Sequence, residues 1–145
     1  MEERKTIEIK TNIVIEKEDL VSLLATAFYG GITYWCPKFT TIDMKESKDK
    51  CYEEEIAEHL FNGGNVTFYE DEDESGIEED FIAHTVGLDE FLKGIHQYLI
   101  ERGGDVITTE IREGNTVTTI DWCNIDAIEA DCMVQYICFG ELIYG

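Results

Sequence analysis

Apolar and polar residues alternate from Thr6 to Ile15, where Ile7, Ile9, Ile13 and Ile15 occupy odd positions and Thr11 completes the row. That period of two predicts a half-buried strand. The period lengthens after Glu18-Asp19, so that Leu20, Leu23, Leu24, Ala27 and Phe28 share one face of a helix ending at Gly30-Gly31. Ile32-Thr33-Tyr34-Trp35 reads as a second strand, closed by Cys36 and the chain's single proline, Pro37. Residues 38 to 50 are polar and predict a loop. Glu53 to Asn62 predicts a short helix and Val66 to Tyr69 a strand. Phe81 to Val86 is expected to pair back on that strand across an acidic turn, Glu70 to Asp80.

The clearest helical stripe is Leu88, Phe91, Leu92, Ile95, Tyr98 and Leu99, stopped by Gly103-Gly104. Val106 to Ile111 and Thr116 to Trp122 flank Glu113-Gly114-Asn115 and form the best local hairpin signal. Asp126 followed by Glu129 resembles a capping box and starts a helix at Ala127 that runs to about Phe139-Gly140. Met133 to Cys138 also fits a buried strand, because periodicity does not separate the two in a short apolar run. Leu142 to Tyr144 predicts a final short strand. With 145 residues and 43% hydrophobic positions, residues 1–145 are expected to fold as one α+β domain. It would hold an antiparallel sheet of about five to seven strands, with about three helices packed mainly on one face.

Charge changes the picture most. The chain has 32 Asp and Glu against 11 Lys and Arg, for a net charge of −21. Direct binding to nucleic acid or to an anionic membrane is therefore not expected, since both depend on basic side chains. The acidity is uneven: residues 1 to 50 carry a net −1, residues 93 to 145 a net −6, and residues 51 to 92 hold fourteen acids with no Lys or Arg. Glu53, Glu54, Glu55 and Glu58 on the short helix would join Asp71, Glu72, Asp73, Glu74, Glu78, Glu79 and Asp80 of the turn. Such a density of like charge is either a solvated face or a surface for a cationic partner. Carboxylates on an extended chain, spaced at about 3.4 Å, imitate the phosphate spacing of one DNA strand. The sharper reading is therefore a nucleic-acid mimic that fills the basic groove of a nuclease or guide-RNA effector.

Other chemistry finds less support. Asp71 to Gly76 reproduces the first half of a calcium-binding EF-hand loop, but position twelve, which needs a bidentate Glu, is Ile82. A divalent-cation-binding acidic module thus stays an alternative, with no defined metal site. A sponge for a small signalling nucleotide is the other, relying on Lys38, Lys45, Lys48 and Lys50 for phosphate. Cys36, Cys51, Cys123, Cys132 and Cys138 are odd in number and lack a C-x-x-C pair, which predicts reduced, mostly buried thiols. His59, His84 and His96 have no ligand spacing. No catalytic residue, cofactor or metal is expected, and the chain is not expected to be an enzyme. Asp131 and Gln135 stand four apart amid apolar neighbours. They need hydrogen-bond partners if buried, and with Tyr34 and Trp35 they form a secondary candidate site, either a structural network or a polar contact point beside Tyr136.

The segment Tyr29-Gly30-Gly31-Ile32-Thr33-Tyr34-Trp35, the helix Leu88 to Ile95, and the ending Ala130 to Gly145 together resemble small acidic proteins of bacteriophages and mobile elements in Gram-positive bacteria. That uncharacterised family shares a Gly-Gly-x-x-Tyr-Trp segment and an Asp-x-x-x-x-Gln-x-x-x-Phe-Gly-Glu ending. The resemblance implies a gene expressed in the bacterial cytoplasm and an anti-defence role, as an inhibitor of anti-CRISPR or anti-restriction type. It transfers no catalytic residue. The expected partner is a basic host protein, and the sequence leaves open whether the chain self-associates.

Overall fold

The computed structural model describes residues 5–7, 12–41, 52–102 and 104–145. Among them are four α-helices, α1 (Lys17–Thr26), α2 (Tyr52–Phe61), α3 (Leu88–Glu101) and α4 (Ala127–Phe139). Five strands, β1 (Lys38–Thr41), β2 (Val66–Glu70), β3 (Ile82–Val86), β4 (Ile107–Arg112) and β5 (Asn115–Ile120), complete an α+β fold. The strands divide between two antiparallel sheets, one ordered β1-β2-β3 and the other the hairpin β4-β5. The α4 helix packs on α3, on α1 and on the end of β3, and α1 packs on α2. One cluster of buried apolar side chains runs through Leu20, Leu24, Ile56, Phe68, Phe91, Ile95, Met133 and Ile137.

Helix α4 shows why its type was ambiguous from pattern. Eight consecutive residues, Ala130 to Ile137, are buried, so no polar stripe marks its period. Its ends resolve the matter. Asp126 accepts the Glu129 N–H at 2.9 Å, and Gly140 closes the helix at φ 73°, a left-handed position that suits glycine. Residues 133–138 are therefore helix and not strand.

Three expected strands differ. Ile32 to Trp35 forms turns: the N–H groups of Trp35 and Cys36 both donate to the Ile32 carbonyl, at 3.0 and 2.8 Å. The strand begins only at Lys38, after Pro37, inside the stretch expected to be loop. From the expected strand Thr6 to Ile15, residues 8–11 lie outside the described residues. Only Ile13 makes a bridge, parallel to Thr118, while Ile7 is exposed. Among the described residues Leu142 to Tyr144 has no strand partner and is held by a side chain instead, as described below.

Helices α3 and α4 touch backbone to backbone. A methyl group on Gly94 would sit 2.5 Å from the Ile137 Cα and 2.6 Å from its N. Backbone does not yield as a flexible side chain would, so the Gly94→Ala variant must separate the helices. The gain of about 1 kcal/mol in helix propensity is offset by overpacking, and a net loss of about 1–3 kcal/mol is expected in urea denaturation. An unchanged or raised midpoint would show that the helices part freely.

Candidate functional site

The acidic segment is a loop between β2 and β3 that the sheet holds at both ends. Asp71 starts it, donating its N–H to the Trp35 carbonyl at 2.8 Å. The Asp71 carboxylate accepts from Ser75 N, Ser75 Oγ and Gly76 N at 3.1, 3.4 and 2.9 Å. Asp71 is therefore the fastener of the turn and not part of its outward face. Residues 72–80 are all exposed and carry six carboxylates: Glu72, Asp73, Glu74, Glu78, Glu79 and Asp80. Lys38 approaches Glu78 to 3.6 Å. Glu78–Asp80 is one turn of 3₁₀ helix, so these side chains fan outward instead of following a single extended track.

The α2 half of the expected acidic face is corrected by burial. Glu53 and Glu55 are only 4% and 8% exposed, buried along α2 as Ile56 and Ala57 are. Only Glu54 stays fully on the surface, and Glu58 pairs with Lys17 at 3.6 Å. The candidate surface thus contracts to residues 72–80. Among the described residues no three His, Cys, Asp or Glu side chains converge as a metal site, and the Asp71 oxygens are occupied by the loop's own N–H groups.

Tyr34, Trp35, Asp131 and Gln135 do come together. The Asp131 carboxylate accepts from Tyr34 Oη at 2.5 Å, Trp35 Nε1 at 2.7 Å and Gln135 Nε2 at 3.0 Å. A strand at 32–35 would have sent consecutive side chains to opposite faces; the turn lets Tyr34 and Trp35 share one acceptor. Gln135 is fully buried and accepts from the N–H groups of Ile143 and Tyr144 on its Oε1, at 2.9 and 2.8 Å. Its Nε2 also donates to the Tyr144 carbonyl at 3.2 Å. The amide acts toward the C-terminal segment as a neighbouring peptide group would in a ladder.

Tyr144 carries the network further. Its ring stacks on Trp35 at a centroid distance of 5.6 Å, and its hydroxyl donates to buried Glu70. Glu70 also bonds His84 Nε2 at 2.8 Å. Gly31 fits against this assembly because an added Cβ would lie 3.0 Å from the Ala127 carbonyl. The Tyr29–Trp35 segment and the Ala130–Gly145 ending are therefore the two halves of one interior network, joined through Asp131. Tyr136 points elsewhere, donating to Glu101 at 2.5 Å.

A recurring device emerges. Tyr34–Asp131, Tyr98–Glu129, Tyr136–Glu101 and Tyr144–Glu70 are phenol–carboxylate bonds, and Trp35–Asp131 and Trp122–Asp19 are indole–carboxylate bonds. In a chain with few cations, five carboxylates, from buried Asp131 and Glu70 to exposed Glu101, are thus served by aromatic donors. No buried side-chain N or O among the described residues lacks a partner. Burial, and then the carboxylate, pushes the Tyr34, Tyr98 and Tyr144 hydroxyls above the ordinary phenol range. For Tyr136 the bond to Glu101 leads, and the hydroxyl moves to about 12.

Burial raises the Cys36 thiol to about 12 and raises Cys138 and Cys132 as well. Thiols so held are protonated at neutral pH and are poor nucleophiles. Cys36, Cys123, Cys132 and Cys138 are free; Cys36 and Cys132 are buried, Cys138 half-buried and Cys123 exposed, with Cys51 outside the described residues. A cleft of about 440 Å³ beside Arg102 is lined also by Asp105, Asp126 and Glu129. Its acids oppose a phosphate group, and Lys45, Lys48 and Lys50 lie outside the described residues. No described helix is long and apolar enough to cross a membrane. No family model, no curated protein and no solved structure matches the chain.

Proposed function

We propose that the chain is a binding protein of bacteriophage type, which inhibits a basic host defence protein by occupying its nucleic-acid groove with the β2–β3 loop. The observation that carries this reading is the loop itself. Nine consecutive exposed residues present six carboxylates, and among the described residues one lysine stands against them. Asp71 fastens the turn at its base, which supports presentation of the charges at little ordering cost on binding. Crowded carboxylates repel, and a cationic groove relieves that repulsion. The resemblance to small phage proteins supports the bacterial setting and the anti-defence role.

The test is capture from bacterial lysate with the wild type and a quadruple variant, Glu72→Gln, Asp73→Asn, Glu79→Gln and Asp80→Asn. Asp71 is left intact because the turn depends on it, and Glu78 because Lys38 already faces it. The wild type should retain a nucleic-acid-binding protein at about 50 mM salt, release it by about 200 mM, and yield it to added duplex DNA or RNA. The variant should bind at least tenfold more weakly, with its melting temperature equal or raised. Equal capture by both proteins, or a captured partner that nucleic acid does not displace, would overturn the proposal.

A further inference from the structure

Strand β4 is an exposed edge whose charges, Glu110 and Arg112, are paired with each other. All six of its residues are exposed, it contains no proline and no bulge, and among the described residues it pairs with β5 alone. Glu113 and Gly114 connect the two strands at φ 49° and 80°, the positive pair that a two-residue type I′ turn requires. Such a turn makes Arg112–Asn115 a hydrogen-bonded pair, and alternation extends this to Glu110–Val117 and Thr108–Thr119. The N–H and C=O groups of Ile107, Thr109 and Ile111 therefore point away from β5. The same alternation is visible on the other edge, where the Thr118 carbonyl accepts Val14 N–H at 2.9 Å.

We propose that this edge pairs with itself, so that two copies of the chain join their hairpins into one four-stranded antiparallel sheet. The register that supports this choice places Thr109 on the two-fold axis, opposite Thr109 of the second copy. Ile107 of each copy then faces Ile111 of the other. Both isoleucines are exposed in the single chain, at 37% and 77%, and cross-strand apolar pairing is the contact that stabilises a sheet. Glu110 faces Thr108 of the second copy and keeps its own Arg112, which bonds it at 2.5 Å. Shifting the register by one residue in each copy would instead place Glu110 opposite Glu110, a like-charge pair that disfavours it. About six backbone hydrogen bonds join the copies in the favoured register. An unrelated strand would find the same backbone groups but not the reciprocal isoleucine pairs.

Each copy carries −21, so long-range repulsion opposes this contact and salt relieves it. The expected behaviour is the inverse of groove binding: the dimer tightens as salt rises. Sedimentation equilibrium of the full chain at about 0.01 M and about 0.5 M salt should show at least a tenfold fall in dissociation constant. Amide exchange in the high-salt dimer should protect Ile107, Thr109 and Ile111. Thr109→Pro removes an outward N–H without removing a β4–β5 bond, and Ile111→Glu breaks both isoleucine pairs and adds to the repulsion between the acidic copies, at a side chain the fold leaves exposed. Both should remain monomeric at high salt, with melting temperatures near that of the monomeric wild type. A wild type that stays monomeric in high salt up to about 1 mM overturns the proposal. So does a dimer that survives both substitutions, or protection of those amides only when a captured host protein is bound.

Discussion

Asp131→Ala should lower the free energy of unfolding by about 3–5 kcal/mol, a large part of the 5–15 kcal/mol that holds an ordinary domain together. Removing the carboxylate leaves the Trp35 indole N–H, on a side chain only 1% exposed, without acceptor or water. A buried donor stranded in this way costs about 1–3 kcal/mol. Gln135 Nε2 loses one of its two acceptors, and the vacated volume between α4 and the Ile32–Trp35 turn adds a cavity penalty of about 1–2 kcal/mol. Tyr34→Phe is the informative contrast: Tyr34 is 51% exposed, its hydroxyl can exchange the carboxylate for water, and a loss under about 1 kcal/mol is expected. Urea denaturation followed by tryptophan fluorescence measures both. If Asp131→Ala costs less than about 1 kcal/mol, Asp131 does not hold the turn to α4.

Stability should also collapse on the alkaline side. Cys36 and Tyr98 are 1% and 0% exposed, and both keep their protons in the native state beyond the ordinary thiol and phenol ranges. The unfolded chain releases those protons at about pH 8.5 and 10. Above these values the native state binds more protons than the unfolded state, so stability falls as pH rises, and below them the contribution is intact. Each fully held proton steepens the fall by about 1.4 kcal/mol per pH unit. The two together should remove on the order of 2–3 kcal/mol between pH 10 and 11, with Cys138 and Tyr144 adding in the same direction. The urea midpoint should hold from pH 7 to about pH 8.5 and then drop. Raising the salt, which screens surface repulsion, should not restore it; a flat midpoint to pH 11 would contradict the proton inventory.

Elements with strong local periods were legible in the sequence. The apolar stripe of α3 gave the helix Leu88–Glu101, and the β4–β5 hairpin follows from its turn residues. Asp126 marked the start of α4 because an N-cap acts within three residues. What escaped was decided at long range. Ile32 to Trp35 has strand composition, yet Tyr34 and Trp35 are drawn to one carboxylate 97 and 96 residues away. Leu142 to Tyr144 likewise has strand composition, yet its N–H groups find the Gln135 side chain and not a neighbouring strand. For the acidic surface, residue counting treated every carboxylate alike. Glu53 and Glu55 each stand one residue, about 100° of helix, from exposed Glu54, yet both are buried. Asp131 and Gln135 were identifiable from their spacing, and Tyr34 and Trp35 as their neighbours, but not the donors Tyr98, Trp122, Tyr136 and Tyr144, whose carboxylate partners lie 31 to 103 residues distant.

The separation between Tyr34 and Asp131 also orders the assembly of the chain in time. Closing a loop of that length costs entropy before any bond forms to offset it. A chain emerging from the ribosome exposes the residues of α1, α2 and the three-stranded sheet before those of α4. The turn that carries Tyr34 and Trp35 then has neither its acceptor nor the Tyr144 ring that stacks on it. Quenching or shift of Trp35 fluorescence should accordingly appear late in refolding, and the last helix is the piece that settles the first quarter of the chain.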